Sequence, residues 1–593
     1  MIELLATKIL EGAVAIAKEI LGARLKAAND ELAKGKRSKL SVRVDFTAEV
    51  LSTRLQTHIR DIEGWSKHSS FFDLLKKKDI GEIYVSLETY VMPVRTHMSD
   101  TERKNKKPLQ AALISLDTHC VILGQPGAGK TTSLQKLCVD FFKNGKVLLN
   151  YNFPILVRLR EIKTSNSVCP ICDHLSEILG LTISTSAIEV DQKKYHDEIG
   201  YWKRDAIIAH LDALHISLLI DGLDEIASAE MRANAVDEIR MLSVGLQNSR
   251  LFLTCRSADF SYEVQKMQKL EIAPLTELQI FEFAHAWLDD QTKADKFLAQ
   301  VRVSPFFDTA IRPLTLAHLC AIFERIGGIP NEPRSVYKKV VNLLLEEWDA
   351  QRSVQRTTAY SNFTRDRKFD FLCALCYQLT VMERATQFDH SLLALVYRRI
   401  CTRFQLPPDE ARAVARELES HSGLLLEASY GKYEFAHKSV QEYLTAEYIV
   451  RLASPDSISD RLLEIPSELA IAITLSSDPA NYLGHLTINT LLPKDVSKEF
   501  LKALLDRLEI ERPEFAPSEI AVLGAAALIT KLGPAPQLIS LFKPIFTLGF
   551  DKILNRYYAA SFDKSDSIRY LTPQNVTSGI LPAYLLVPKI FFT

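Results

Sequence analysis

The sequence predicts an α/β domain with a doubly wound parallel sheet, flanked by a helical N-terminal region and three further domains. These are a helical domain, a winged-helix domain and a mostly α-helical C-terminal domain. Three observations support the prediction: a glycine-rich turn between a strand-like and a helical stretch (120–142), an apolar run that ends in carboxylates (218–225), and three helical stretches followed by a hairpin (369–436). Apolar strands that alternate with helices are typical of a parallel sheet.

The glycine-rich turn has the spacing G-x-x-x-x-G-K-[ST]. The apolar run 120–123 predicts a buried strand before it, and 133–142 predicts the helix after it. Glycines let the backbone wrap around a phosphate, and the loop N–H groups and helix N-terminus favour an anion. Lys130 can reach the β- and γ-phosphates, and the Thr131 hydroxyl can ligate Mg²⁺. The candidate nucleotide-binding residues of this turn are Gly124, Gln125, Pro126, Gly127, Ala128, Gly129, Lys130, Thr131 and Thr132. We therefore expect the α/β domain to be a P-loop NTPase that binds a nucleoside triphosphate.

A second apolar stretch, LLIDGLDE at 218–225, ends in three carboxylates. Asp221 can hold Mg²⁺ directly or through water, as a Walker B acid does, which makes it and Thr131 the candidate metal ligands. Asp224 and Glu225 are suited to orienting or deprotonating the attacking water, and the sequence leaves open which of the two is the principal catalytic acid.

A third apolar stretch, RLFLTCR at 250–256, ends in a cation. The C-terminal ends of strands in a doubly wound sheet converge on the ligand crevice, so we expect Arg256 to face the γ-phosphate. The alternative is a surface arginine that follows a core strand.

Composition and charge narrow the class of protein. With 593 residues, 47% of them hydrophobic and 24% charged, the chain should fold into about three to five domains. A formal net charge of −1 gives no sign of a general affinity for nucleic acid. Charged residues interrupt the apolar N-terminus, and no later apolar run is long enough to cross a bilayer. We expect a cytoplasmic protein without a membrane span.

The nine cysteines are too few for a disulfide framework in a chain of this length, so reduced thiols are expected. Cys169 and Cys172, followed by His174, could begin a zinc site. A structural zinc needs four ligands, however, and no second pair lies nearby. Cys373 and Cys376 have the spacing of core residues on one helix.

Periodicity and turn residues suggest the order of domains. The predicted boundaries are 1–108 for the N-terminal helical region, 109–275 for the nucleotide-binding domain, 276–348 for the helical domain, 349–452 for the winged-helix domain and 453–593 for the C-terminal domain. Within the N-terminal region we expect helices at 1–34, 45–65 and 71–77, a short strand or docking arm at 83–91 and an exposed linker at 95–108.

The winged-helix prediction depends on the order of elements. Helices are expected at 369–382, 391–404 and 408–421, a hairpin at 423–436 with its turn at 430–432, and a last helix at 438–450. Lys432 and Lys438 are too sparse for a DNA-recognition face, so no nucleic acid is predicted as a partner. Downstream, helices are expected at 468–475, 498–508, 520–532 and 537–550, without the fixed period of repeat sensors.

These motifs resemble the NACHT family of signal-transducing STAND NTPases, which includes NOD-like immune receptors and bacterial antiphage proteins. The resemblance covers about 70–452. The segments that carry it are QPGAGKTT (125–132), LLIDGLDE (218–225), LTCR (253–256), PLTELQIFEF (274–283), RPLTL (312–316), PNEPRSVYKKVVNLLLEEW (330–348) and FAHKSVQEYLTA (435–446).

The resemblance implies functional roles that spacing alone does not. Pro313 would lie beside the adenine, and His437 would touch the β-phosphate of bound ADP and hold the resting state closed. The nucleotide would be ATP or ADP with Mg²⁺. A phage or cellular trigger, sensed by the short C-terminal domain, would open the clamp and lead to homo-oligomers, and slow hydrolysis would time the switch.

Two other functions fit parts of the sequence. A STAND-type transcription regulator would read DNA with the winged helix, although the helix after the wing is only weakly basic. A constitutively active remodelling ATPase would turn over steadily in a ring. A purely structural scaffold would not need Lys130, Asp221 and Arg256 together.

Overall fold

The structure is a computed structural model of the chain. It describes residues 41–45, 48–69, 78–96, 105–115, 118–144, 153–162, 169–180, 182–186, 204–226, 228–330, 332–347, 360, 363–429, 431–452, 459–494, 496–533 and 536–547. The expected helices at 1–34 and 71–77, most of the expected linker and the apolar end of the chain lie outside these ranges.

The strands and helices are numbered in chain order. The described strands are β1 (Ser41–Asp45), β2 (His68–Ser69), β3 (Lys78–Asp79), β4 (Glu88–Tyr90), β5 (Lys106–Pro108), β6 (His119–Gly124), β7 (Pro154–Arg158), β8 (Thr182–Ser186), β9 (Ser217–Asp221), β10 (Arg250–Arg256), β11 (Met267–Ile272), β12 (Gln387–Asp389), β13 (Leu425–Ser429) and β14 (Lys432–Phe435). The described helices are α1 (Ala48–Lys67), α2 (Ile80–Ile83), α3 (Leu109–Ser115), α4 (Lys130–Asn144), α5 (Pro170–Leu179), α6 (204–213), α7 (Ala229–Gly245), α8 (Glu277–Leu288), α9 (Gln291–Arg302), α10 (Pro313–Ile326), α11 (Pro333–Asn342), α12 (Arg365–Tyr377), α13 (His390–Ile400), α14 (Ala411–Ser422), α15 (Lys438–Val450), α16 (Ser459–Leu462), α17 (Pro466–Leu475), α18 (Pro479–Leu486), α19 (Lys498–Glu511), α20 (Glu519–Leu532) and α21 (Pro536–Phe542).

A seven-stranded sheet forms the centre of the α/β domain, in the order β5-β4-β11-β6-β10-β9-β7. The five strands from β11 to β7 run parallel, and every residue of β6, β9 and β10 is buried, as continuous apolar strands of a covered parallel sheet require. In the register of β10 and β6, Arg256 lies opposite Gly124. The predicted parallel P-loop sheet is confirmed, and its carboxyl ends share one edge.

The sheet extends further toward the N-terminus than residue 109. The strand expected within 83–91 is present as β4, which pairs antiparallel with β11. β5, expected to be part of an exposed linker, pairs with β4, and Leu109 N donates to Leu87 O at 2.7 Å. Short-range sequence features could not reveal this pairing because Lys106 and Lys107 resemble linker residues.

The N-terminal helix α1 covers the opposite edge of the sheet. The imidazole of His58 on α1 accepts a hydrogen bond from Leu156 N of the edge strand β7, at 3.1 Å. Burial lowers the pKa of His58 to about 4, so the ring is neutral and can accept. Gln135 on α4 donates to Trp65 O at 2.9 Å, which ties α1 to the helix that follows the P-loop.

The winged-helix elements occur in the predicted order. α12, α13 and α14 precede the β13–β14 hairpin, and α15 follows it. β12 was not predicted, and it joins the hairpin in a three-stranded sheet by pairing with β14. α12 ends at Tyr377 and continues as a π-helix to Met382, whereas α13 is followed by a 3₁₀ turn at Cys401–Phe404.

The C-terminal helices α17, α19, α20 and α21 lie where helices were expected, with α21 ending at Phe542 and a 3₁₀ turn at Ile545–Thr547. The sequence analysis missed α18, which begins with Pro479 after an Asp478 cap. Gly484 allows α18 to touch α20 closely, since a Cβ there would lie 2.5 Å from Ile520 O. Within the described ranges, no helix is both long and apolar enough to span a bilayer.

Candidate nucleotide-binding site

The P-loop connects β6 to α4 and has the backbone geometry of an anion-binding turn. Gly127 and Gly129 have φ values of 73° and 95°, a region that residues with a Cβ rarely adopt. Lys130 begins α4, and its Nζ donates to Gly124 O at 2.8 Å and to Gln125 O at 3.2 Å. The side chain therefore lies across the loop, where an arriving phosphate can replace the carbonyl oxygens.

The predicted metal ligands are neighbours. Thr131 Oγ1 donates to the Asp221 carboxylate at 3.1 Å, and Asp221 is buried at the end of β9. Thr254 on β10 donates to the same carboxylate at 2.7 Å and accepts from Gly222 N at 2.8 Å. A hydroxyl and a carboxylate at the carboxyl end of the sheet are hard oxygen donors that suit Mg²⁺. The sequence analysis did not assign Thr254 a role, although it is the one hydroxyl residue in the apolar strand RLFLTCR.

The two candidate catalytic acids have different arginine partners. Asp224 forms a buried ion pair with Arg256 (Nε to Oδ2, 3.0 Å), and its Oδ1 accepts from Arg256 N at 3.0 Å. Arg160, in the turn after β7, places its Nη1 3.4 Å from a carboxylate oxygen of Glu225. The Glu225 carboxyl group also packs against Gly222, where a Cβ would approach it to 2.7 Å. Each acid is thus held in place by a guanidinium group.

Arg256 also reaches the winged-helix domain. Its Nη1 donates to the carbonyl oxygens of Ser420 and His421 in the last turn of α14, the second at 3.2 Å. Helix C-termini carry unsatisfied carbonyl groups and a partial negative charge, so a cation there is stabilised. The expected contact of Arg256 with a γ-phosphate stays a prediction.

An apolar cavity lies beside the P-loop. Pro313 and Leu314 of α10 form one wall, and Leu314 N donates to Gly127 O at 3.2 Å. Two stacked rings, Phe283 and Trp287, lie 5.4 Å apart in another wall. The remaining lining residues are Ile83, Tyr84, Val85, Leu87, Gly127, Gly129, Thr132, Leu275 and Ala317. An apolar slot with aromatic walls next to a phosphate loop fits a nucleobase.

The family resemblance implied that Pro313 lies beside the adenine, whereas residues 83–87 were not predicted to line the site. Their only sequence signal is the alternation in IYVSLETYV, which predicts a strand and no ligand contact. They reach the P-loop because β4 joins the central sheet.

The winged-helix domain also contacts the P-loop. Gln125 Nε2 donates to Glu419 Oε1 of α14 at 3.4 Å, and Arg312 Nη2 donates to Gly423 O at 2.9 Å. Gly423 is packed so closely that a Cβ would lie 2.8 Å from Pro126 Cδ. The P-loop is therefore enclosed between α10 and the end of α14.

His437 lies at the start of α15, buried near Arg312. Its Nδ1 is 3.0 Å from Asp308 O, and Asp308 also accepts from Ser439 N at 2.9 Å. Burial and the positive charge of Arg312 hold the pKa of His437 well below its usual range, so the ring is neutral. Within the described structure, Nε2 has no hydrogen-bond partner. The contact with a β-phosphate that the resemblance implies stays a prediction.

The Cys169–Cys172 pair lies away from these groups, at the start of α5. Glu238 accepts from Ile171 N at 2.8 Å and from Cys172 N at 2.9 Å, so it caps the helix. Burial raises the pKa of the Cys169 thiol to about 12, which disfavours the thiolate that a metal would need. Among the described residues, no group of three or more His, Cys, Asp or Glu side chains could hold a metal ion.

Comparison with protein families gives two matches. Residues 118–291 match the NACHT domain, and residues 334–449 match the winged helix-turn-helix domain C-terminal to NACHT. No curated protein matches the chain.

Three solved structures are similar over long stretches, with low identity. A Walker-type ATPase of Pyrococcus abyssi is 12% identical, covers 57% of this chain and 93% of its own, and gives a TM-score of 0.34. Cdc6p from Pyrobaculum aerophilum is 12% identical, with coverages of 57% and 91% and a TM-score of 0.26. A STAND protein with a tetratricopeptide repeat sensor from Pyrococcus horikoshii is 11% identical, with coverages of 85% and 66% and a TM-score of 0.23.

The first family match contains the P-loop, Asp221 and Arg256, and the second contains α14 and His437, so both coincide with the groups that enclose the site. The chain therefore contains a NACHT domain, with the parallel sheet of a P-loop NTPase, followed by the winged-helix domain that lies C-terminal to NACHT.

Proposed function

We propose that this NACHT protein is a cytoplasmic, ATP/ADP-operated signalling switch in antiphage innate immunity. The observation that carries the proposal is the contact of Arg256 with both Asp224 and the carbonyl oxygens of α14. One side chain thereby joins the hydrolytic end of the sheet to the winged helix. ADP, held by the P-loop, would stabilise this closed arrangement, with Pro313 beside the base and His437 near the β-phosphate.

Residues at the carboxyl ends of the strands and in the P-loop would bind Mg²⁺ and the phosphates of ATP and orient the attacking water. Thr131 and Asp221 would hold Mg²⁺, which neutralises charge on the β- and γ-phosphates. Lys130 would give up its bonds to Gly124 O and Gln125 O and bind phosphate oxygens. Asp224 or Glu225 would orient the attacking water. Hydrolysis is expected to be slow while the Arg256 side chain remains bonded to Asp224 and α14.

Exchange of ADP for ATP suggests how the switch opens. A γ-phosphate carries full negative charge, whereas the carbonyl oxygens of Ser420 and His421 carry only partial charges. Arg256 is charged in both contacts, but a phosphate adds a full negative charge and can accept two parallel N–H bonds from the guanidinium group. The phosphate would therefore replace the carbonyl oxygens of α14 as the partner of Arg256. Release of α14 would free the winged helix and expose surfaces for homo-oligomerisation.

Ion pairs with two buried carboxyl groups support a role for the C-terminal domain as the sensor of a phage or cellular trigger. Arg507 on α19 lies 3.2 Å from Glu442 on α15, 2.9 Å from Glu511 on its own helix, and donates to Tyr337 OH of α11 at 3.0 Å. Glu442 shares α15 with the residues that follow His437. A shift of α19 would therefore be transmitted to the helix that begins at the nucleotide site.

The first test is the nucleotide that the purified protein retains, identified by chromatography after denaturation, together with basal turnover. We expect tightly retained ADP and very slow hydrolysis, and loss of nucleotide in Lys130→Ala. Lys143→Ala, an exposed lysine at the far end of α4, is the matched control and should retain ADP. An empty site with rapid, unstimulated hydrolysis would favour a remodelling ATPase and overturn the switch.

The immune role needs a test in cells. Bacteria that express the wild-type protein should form fewer phage plaques than cells that express Lys130→Ala at equal level, for at least one phage of a diverse panel. Equal plaque counts for both proteins across the panel would refute the antiphage role. Duplex-DNA binding by the purified protein would instead favour a transcription regulator.

A further inference from the structure

Arg312 is a buried cation at the junction of the P-loop and the winged helix. It precedes Pro313 at the start of α10, is 7% exposed, and lines a cavity together with Gln125 and Ala128. Its Nη2 donates to Gly423 O, but within the described residues its Nη1 has no hydrogen-bond partner. A buried charge without its full complement of partners is costly, so this nitrogen is suited to a ligand anion.

In its neutral form, His437 cannot donate a hydrogen bond from Nε2 to a bound phosphate. Its Nδ1 faces Asp308 O, so this nitrogen carries the ring proton, and Nε2 presents a lone pair. The tautomer is inferred from this contact. A lone pair repels a phosphate oxygen, whereas the Arg312 guanidinium nearby remains a donor: burial lowers its pKa only to about 10.

The carboxylates that line the same cavity have other partners. Glu271 accepts from Val94 N at 2.6 Å, Glu419 from Gln125 Nε2, Glu427 from Gly431 N at 3.0 Å, and Glu434 from Gln387 Nε2 at 2.8 Å. None of these contacts uses Arg312. The negative charge of Glu419 raises the pKa of Arg312 against the effect of burial, but the described contacts include no direct ion pair between the two.

We propose that Arg312 binds the terminal phosphate of the nucleoside diphosphate in the closed state and so distinguishes ADP from AMP. The proposal rests on the proposed function, because it assigns one more residue to the same nucleotide site. Arg312 would join α10, the P-loop and Gly423 around the β-phosphate, and His437 would pack beside it.

The test compares ADP and AMP affinities by calorimetry, with protein stripped of retained nucleotide. In Arg312→Gln we expect ADP to bind at least about tenfold more weakly, since a charge-assisted hydrogen bond is lost, while AMP affinity changes less than about twofold. Arg302→Gln is the matched control, because Arg302 is exposed in the last turn of α9. It should leave both affinities unchanged.

Wild-type ADP affinity in Arg312→Gln would overturn the proposal, and so would equal weakening of ADP and AMP, which indicates a purely structural role. If Arg312→Gln does not fold, Arg312→Lys replaces it: this variant keeps the charge, and its ADP affinity should be reduced more than its AMP affinity. An equal reduction of both would again overturn the proposal. If instead Lys130→Ala binds ADP as tightly as the wild-type protein, the nucleotide site itself is wrong.

Discussion

Arg256 and Arg507 both join the winged-helix domain to a neighbouring domain, and they differ in the kind of acceptor they use. Arg256, on the nucleotide side, donates to carbonyl oxygens of α14 in the winged-helix domain. Arg507, on the C-terminal side, contacts it through the carboxylate of Glu442. We call these contacts the nucleotide junction and the C-terminal junction. A neutral carbonyl can be displaced by a phosphate, whereas a buried carboxylate pair has no such competitor.

This difference suggests a division of labour. The nucleotide junction can exchange one partner for another, as a switch requires. We expect the C-terminal junction to stay intact, because separating Arg507 from Glu442 and Glu511 would leave the buried Glu511 without its ion-pair partner. Motion of the C-terminal domain would therefore move α15 as a unit.

The largest expected effect is at the C-terminal junction. Arg507→Ala leaves the buried Glu511 without its ion-pair partner and removes the closer of the two cations that contact Glu442, since Lys438 lies 3.7 Å away. The variant should lower the free energy of unfolding by roughly 3 kcal/mol or more. Urea denaturation measures this, and release of bound ADP should be faster in the same variant. Lys502→Ala, exposed on the same helix, should stay within about 0.5 kcal/mol of wild type. If both variants had the same free energy of unfolding, the C-terminal junction would make no contribution to the stability of the fold.

The two junctions also differ in how far the sequence reveals them. Lys130, Asp221 and Arg256 were predicted because each ends or follows a continuous apolar strand, and parallel strands bring their carboxyl ends together. Arg507 has no comparable signal, since KEFLKALLDRLEIE resembles any amphipathic helix with a charged face. Its partner Tyr337 is 170 residues away in the chain, and only the tertiary structure brings them together.

Dependence on tertiary contacts also explains why the other residues were not predicted from the sequence. Tyr84 reaches the base-side cavity through the pairing of β4 with β11, which depends on a strand of three residues. Helix α18 was missed because Pro479 and Gly484 are poor helix formers. Tertiary contact overrides that preference, with Pro479 in the first turn and Gly484 against the backbone of α20.

The next prediction tests whether the nucleotide junction is exchangeable. Arg256→Gln removes the charge that pairs with Asp224 and contacts α14, so ATP hydrolysis should fall at least about tenfold and ADP should dissociate faster. Single-turnover hydrolysis and the release of a fluorescent ADP analogue measure the two effects. Arg240→Gln, an exposed arginine on α7, serves as the control. Wild-type hydrolysis by Arg256→Gln would exclude a role for this arginine at the γ-phosphate.

A smaller effect is expected in the base-side cavity. Phe283→Leu removes one of the two stacked rings and should weaken ATP binding by about fivefold, or about 1 kcal/mol. Binding of inorganic triphosphate should not change, because it has no base. Phe281→Leu, 41% exposed on the same helix, should leave both affinities as they are. Equal weakening of ATP and triphosphate would place the base elsewhere.

The smallest expected effect is the pH dependence of stability that comes from Glu468, on α17 near the C-terminal junction. Burial and the nearby Glu442 raise the pKa of Glu468 to about 7, so the folded protein binds this proton more tightly than the unfolded chain, whose carboxyl has a pKa of about 4.5. The resulting stabilisation is complete below about pH 4.5 and is lost as the pH rises to about 7. The pKa values of Glu442 and Glu511 are raised as well, while the positive charges of Lys438 and Arg507 lower the pKa of Glu468.

Urea denaturation at several pH values measures how the free energy of unfolding declines across this window. The decline should be shallower in Glu468→Gln, by on the order of 1 kcal/mol, and unchanged in Glu499→Gln, where the replaced residue is exposed. If the free energy of unfolding depended on pH equally in both variants, Glu468 would titrate normally. Burial and the charge of Glu442 at the C-terminal junction would then not act on Glu468 as proposed.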